Sequence, residues 1–231
     1  MGILENYQNI EQKIQAACDR CHRERRSVKL VGVSKKKPAS AIVEALETTV
    51  LRDFGENYVQ EYVEKRALLK DKEVSWHFIG HLQRNKVRQL MAYPPALIHS
   101  VDSIGLIEQI ERITGELYPD YRQPILLELR IGDEEGEKTG MMPDDLDGAI
   151  QEIKTCMHLD LQGLMLIPPA CENPEDVRPY FKEVHRIFDD LCARGQNRSI
   201  LSYGMSHDFE VAIEEGATHI RIGTAIFGER S

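Results

Sequence analysis

The chain has 231 residues, 42% of them hydrophobic and 29% charged, with a net charge of −9. This is the balance of a globular protein long enough to bury a large core. It argues against general nucleic-acid binding, which needs a basic face, and no apolar run approaches the roughly 20 residues of a membrane span. The cysteines, Cys18, Cys21, Cys156, Cys171 and Cys192, are odd in number, and the opening MGILENYQNIEQKI has no basic segment followed by an apolar one. Reduced thiols in a cytoplasmic protein are therefore expected.

In chain order, Ile3, Tyr7, Ile10, Ile14, Cys18 and Cys21 recur at helical spacing and predict a first helix over about residues 3–25. Within it, Cys18-Asp19-Arg20-Cys21-His22 matches the haem-attachment pattern C-x-x-C-H. The same spacing puts both cysteines on the apolar stripe, so core packing is expected there and neither haem nor metal. Apolar, β-branched stretches then alternate with helical patterns. Strands are predicted at Val28–Ser34, Val50–Phe54, Trp76–Gly80, Leu97–Val101, Ile125–Ile131, Leu161–Ile167, Ile200–Tyr203 and His219–Gly223. Helices are predicted between them at Ala39–Leu46, Tyr58–Lys70, Asn85–Met91, Ser103–Leu117, Asp144–Thr155, Glu175–Arg194 and Asp208–Glu215.

Such alternation means parallel strands. Eight of them at this length predict an α/β fold, a single (β/α)8 barrel domain over residues 1–231 with an extra N-terminal helix. No helical pattern follows strand eight, and the leading helix is expected to cover that vacant slot. A doubly wound open sheet is the alternative, but SKKKP stands after Val33 where its G-x-G-x-x-G fingerprint would be.

Barrel active sites lie at the C-terminal ends of the strands. The strand exits here read SKKKP, GENYVQE, GHLQRNK, Asp102-Ser103 (a helix N-cap), GDEEGEKTG, PP, GMSHD and GTAIFG. Side chains alternate along a strand, so Val31, Val33 and Lys35 share one face and Lys36 takes the other. Lys37 precedes Pro38, which biases it to extended backbone, and Pro38 is placed to open a helix. Lys35 is thus the amine expected over the barrel mouth. Two neighbouring cations disfavour its protonated form, which suits a Schiff base. A KKK run alone reads more often as a solvated loop. After strands seven and eight, where barrels frequently bind phosphate, Gly204-Met205-Ser206 and Gly223-Thr224 offer hydroxyls and backbone N–H groups. GTAIFG alone reads equally as a tight turn. Arg221 lies on the face of Gly223. A nucleophilic lysine opposite a phosphate site fits pyridoxal 5′-phosphate (PLP), or a sugar phosphate in a Schiff-base aldolase.

The segments VGVSKKKP, FGENYVQE, WHFIGHLQRNK, KTGM, LQGLMLIP, LSYGMSHD and RIGTAIFG, in this order across nearly the whole chain, resemble the YggS/PROSC family of PLP homeostasis proteins. The resemblance implies a barrel like the N-terminal domain of alanine racemase, with PLP held as an aldimine on Lys35. It implies phosphate binding at Ser206, Gly223 and Thr224, Arg221 against the pyridine nitrogen and Asn57 near the cofactor. It further implies a polar wall beyond strand three from His77, Gln83, Asn85 and Lys86, with Lys138 near the mouth. No catalytic residue and no metal ligand is implied. Tyr203 stands where a methionine is common.

An arginine keeps its proton. It therefore leaves the pyridine unprotonated and a poorer electron sink. Racemases of this barrel type add a second acid/base from a further domain, and none follows strand eight here. The expectation is a monomeric PLP carrier or regulator that supplies PLP-dependent apo-enzymes. The alternative is a small PLP-dependent amino-acid racemase or lyase using Tyr58, His77 or His207. A sugar-phosphate barrel without PLP is a third class. The acidic loop GDEEGEKTG is expected to be solvated.

Overall fold

A computed structural model describes residues 2–132, 139–195 and 198–228. Lys138 and the acidic residues of GDEEGEKTG lie outside the described residues. The strands are β1 (Lys29–Val33), β2 (Asp53–Glu56), β3 (Ser75–Phe78), β4 (Leu97–Val101), β5 (Gln123–Leu129), β6 (Leu159–Leu166), β7 (Ile200–Ser202) and β8 (His219–Ile222). Among the described residues they close a barrel in sequence order, each parallel to its neighbours and β8 against β1. The helices are α1 (Ile3–Arg20), α2 (Ala39–Thr48), α3 (Val59–Leu68), α4 (Val87–Leu90), α5 (Ile104–Leu117), α6 (Leu146–Thr155), α7 (Arg178–Ala193), α8 (Phe209–Glu214) and α9 (Thr224–Phe227).

The predicted barrel is present, with differences at element ends. β2 begins at Asp53 rather than Val50, which is 80% exposed. A charged residue reads as a strand terminator, but Asp53 pairs in register with Ser75 and its carboxylate is bonded to His77 and Lys29. The first helix stops at Arg20, followed by His22 at φ 56° and a 3-10 turn over Arg25–Ser27. α9 was not expected, because four residues are too few to show a period.

The N-terminal helix does cover the slot beside β8. It buries Tyr7, Ile10, Ile14, Ala17 and Cys18, and packs against α2, α8 and α9. Asn6 Nδ2 donates to Ile226 O at 3.0 Å, and Arg20 pairs with Glu214 at 2.7 Å and Glu210 at 3.0 Å. Cys18 is fully buried, and Cys21 Sγ lies 3.1 Å from Ala17 O. Among the described residues no cluster of His, Cys, Asp or Glu is placed to hold a metal ion. None of their helices is long and apolar enough to cross a membrane.

Strand alternation divides the barrel into two layers. Outward residues such as Leu30, Phe54, Phe78, Ile98, Leu127 and Leu164 join the main core beneath the helices. Inward, Leu97, Leu126 and Met165 form a small apolar plug with Ile200. The rest of the lumen is polar: Asp53, His77, His99, Ser202, His219 and Arg221 meet there.

Candidate functional site

At the β1 exit, Ser34 turns outward and its Oγ donates to Glu56 Oε1 at 2.6 Å. The next residue, Lys35, is half-buried in the turn that follows, while Lys36 is exposed. A tight turn holds this register: Lys37 N–H donates to Ser34 O at 3.0 Å, and Lys36 sits at φ 60°. An L-residue with a side chain adopts that region only when its surroundings enforce it. The enforcement is visible. Lys36 N–H donates to Glu61 Oε2 at 2.8 Å, and Lys65 Nζ donates to Ser34 O at 2.7 Å, Glu56 Oε1 at 2.7 Å and Glu61 Oε2 at 3.0 Å. The backbone on both sides of Lys35 is thus gripped by a buried Glu56–Lys65–Glu61 cluster. Burial raises the Glu56 carboxyl above its ordinary range, against the pull of Lys65 and Ser34.

The β8 exit runs beside the β1 exit. A Cβ on Gly223 would lie 3.1 Å from Val33 O and 3.3 Å from Val33 Cβ, so glycine lets the two exits meet. Thr224 follows at the start of α9, exposed. After β7 the chain turns at Gly204 (φ 94°), and the following loop exposes Ser206. Asp208 Oδ1 accepts the Met205 N–H and ties this loop down.

Arg221 is buried under the rim. Its Nη1 donates to Ser202 O at 2.8 Å and Ser202 Oγ at 2.7 Å, and Nη2 to Leu166 O at 3.1 Å. Guanidinium carries five N–H groups, so donors remain for a ligand. Burial lowers its pKa to about 10, opposed by Asp208 and Glu128. Asn57 is half-buried, and among the described residues its Oδ1 has no hydrogen-bond partner. It lines a cavity of about 480 Å³ with Tyr58, Gln60, His81, Gln83 and Lys86.

The structure therefore gathers Lys35, Gly223 and Thr224 at the meeting of the first and last exits, with Ser206 on the next loop and Arg221 in the neighbouring strand. Asn57, Gln83 and Lys86 share a separate cavity at the β2 and β3 exits, which none of these five residues lines; Asn85 is not among its lining residues either. His77 differs from its expected place. It lies inside β3, in the lumen, bonded to Asp53 and His99, and not in a wall beyond the strand. Tyr58 is 48% exposed, and His207 Nε2–H donates to Glu172 O at 3.0 Å.

Several polar residues were not singled out from the sequence: Glu56 and Lys65 of the clamp, His99 and Ser202 of the lumen, and Glu128. Glu128 is 3% exposed and accepts Thr139 Oγ1–H at 2.7 Å; burial raises its carboxyl. A carboxylate inside the apolar run Ile125–Ile131 was a signal of this. The clamp left none, since a carboxylate at a strand exit and a lysine on a helix read as ordinary surface residues.

Residues 6–231 match the family model of the alanine racemase N-terminal domain. A pyridoxal phosphate homeostasis protein of Aquifex aeolicus is 44% identical over 100% of this chain and 99% of its own length. That of Escherichia coli is 39% identical over 99% and 97%. Among solved structures, PipY of Synechococcus elongatus with PLP bound is 34% identical at a TM-score of 0.83, covering 98% of this chain and 100% of that one. With the closed barrel and its paired first and last exits, this full-length likeness means that the chain belongs to the family of pyridoxal phosphate homeostasis proteins, built on the alanine racemase N-terminal barrel.

Proposed function

We propose that this chain holds PLP as an imine on Lys35 and serves vitamin B6 homeostasis in the cytoplasm as a carrier or regulator. The observation that supports this reading is the close approach of Gly223 to Val33, which brings the β8 exit beside the clamped lysine turn. Bound PLP supplies an aldehyde that condenses with an amine and a dianionic phosphate that needs donors. Lys35 is the amine. Ser206 and Thr224 hydroxyls and the Gly223 backbone are the donors. Arg221, with N–H groups to spare, faces the pyridine nitrogen and keeps its own proton. Asn57 Oδ1, without a partner among the described residues, is an acceptor for the ligand. PipY, solved with PLP bound, supports the choice of cofactor.

In this reading the chain works as one monomeric domain over residues 1–231 and passes PLP to apo-enzymes. A second reading, a PLP-dependent racemase or lyase, is favoured by one observation: Glu128 is a buried carboxyl on the inward face of β5, next above Leu126. The test begins with the visible spectrum of the purified, PLP-loaded chain. The absorbance band is expected to vanish on borohydride reduction, and peptide mapping to place the label on Lys35. Label on Lys36 or Lys37 overturns the assignment. Incubation with L-amino acids in deuterium oxide is expected to show no Cα exchange beyond free PLP. Exchange that disappears in Glu128→Gln establishes the enzyme instead.

A further inference from the structure

A chain of hydrogen bonds crosses the lumen from the N-terminal end of the barrel to Arg221. Asp53, the first residue of β2, is at the solvent end, where Lys29 Nζ donates to its Oδ1 at 3.1 Å. The same oxygen is 2.9 Å from His77 Nε2, and His77 Nδ1 is 2.9 Å from His99 Nε2. His99 Nδ1 is 2.8 Å from Ser202 Oγ, which accepts from Arg221 Nη1 at 2.7 Å. His77, His99, Ser202 and Arg221 are all at most 4% exposed.

Both ends dictate the direction of this chain. The guanidinium only donates, so Ser202 Oγ accepts from it, which leaves the hydroxyl proton available to His99 Nδ1. Burial first, then His77, His219 and Arg221, keep His99 neutral. Its proton therefore sits on Nε2 and is donated to His77 Nδ1. At the other end the Asp53 carboxylate only accepts, so the His77 proton sits on Nε2. The two deductions meet without conflict. His219, whose ring lies 6.3 Å from that of His77 and 6.2 Å from that of His99, is itself held neutral by burial, its pKa lowered to about 3. Among the described residues Arg221 has no carboxylate in direct contact; Asp208 and Glu128 act on its charge from a distance, and the hydrogen-bonded series ending on Asp53 fixes the Ser202 hydroxyl that it meets.

We propose that Asp53, His77, His99 and Ser202 are positioning residues that hold Arg221 in a single orientation and so set the affinity and spectrum of PLP bound above it. The inference rests on the PLP reading of the site. It makes the N-terminal face of the barrel, where Asp53 and Lys29 meet water, a remote control point for the mouth.

Two measurements test it. Long-range 15N–1H NMR of the histidine-labelled full chain, without PLP and at neutral pH, is expected to show His99 neutral and in the Nε2–H tautomer, and a proton on His77 Nε2. An Nδ1–H tautomer or a charged ring at His99, or a His77 Nε2 without its proton, overturns the series. PLP titration followed by absorbance is expected to show binding weakened about tenfold or more in Ser202→Ala, with a displaced absorbance maximum and loss of the single His99 tautomer. Ser202→Thr restores the hydroxyl and is expected to recover both. Asp53→Ala, at the tolerant solvent end, is expected to shift the spectrum in the same direction. A folded Ser202→Ala chain with wild-type affinity and spectrum overturns this proposal alone. Failure of the wild-type chain to take up PLP overturns the cofactor reading, and the claim on PLP affinity falls with it.

Discussion

Lys65 shows how much a single buried charge does at the β1 exit. Its ammonium meets Ser34 O, Glu56 Oε1 and Glu61 Oε2, and it is 8% exposed where Glu56 is fully buried. Removing the cation strands the Glu56 carboxylate, one of whose oxygens already lacks a partner among the described residues. Lys65→Met is therefore expected to cost about 3–5 kcal/mol, as losing one member of a buried pair does. Urea unfolding measures this, and adding Glu56→Gln is expected to recover part of the loss. At this scale the sequence was readable where alternation governs. Val31 and Val33 sit in register with Arg221 and Gly55, on the lumen side, as alternation along β1 requires. It was unreadable at Lys65, which is 31 residues from Ser34 and exposes nothing unusual in composition.

The elements carry a different kind of information. α1 announced itself through a 3.6-residue period, and its apolar stripe needed a partner before any partner was known. The structure supplies one in α2, α8 and α9. Ile14, fully buried at the centre of that stripe, is expected to cost about 2–5 kcal/mol as Ile14→Ala. The midpoint of chemical unfolding reads this directly; a loss near zero means that α1 is only loosely docked. Element ends were less legible. Val50 belongs to the loop and Asp53 to the strand, because pairing with Ser75 and the lumen bonds outweigh local β propensity. α9 is too short for periodicity, and its helical turns depend on docking against α1.

For the molecule as a whole, the lumen links folding to acid. An aspartate in an unfolded chain titrates near about 3.9. In the barrel burial works to raise the Asp53 pKa, but His77 and then Lys29 outweigh it and hold it at about 2. The folded chain then binds fewer protons than the unfolded one between these values. The contribution of Asp53 is thus complete above about pH 4 and is lost as pH falls through about 2. Stability followed by denaturant titration is expected to fall more steeply across that window in the wild type than in Asp53→Asn. Equal slopes mean that the His77 and Lys29 contacts do not hold the carboxylate in solution. Glu128 and Asp208, raised by burial, act with the opposite sign: their contribution is present at low pH and is lost as pH rises through their folded values.

What the amino-acid order determined by itself was local: the alternation of apolar strands with amphipathic helices, the face of β1 that Val31 and Val33 share, and the glycines that allow tight turns. These follow from backbone periods and steric limits that act within a few residues. What only the tertiary structure decided was which distant polar groups share the lumen and the rim. Asp53, His77, His99, Ser202 and Arg221 lie on five strands, and Ser34, Glu56 and Lys65 at the β1 exit, on β2 and on α3. Their burial is tolerable only because barrel closure supplies each with a partner, and closure is a property of all the strands together.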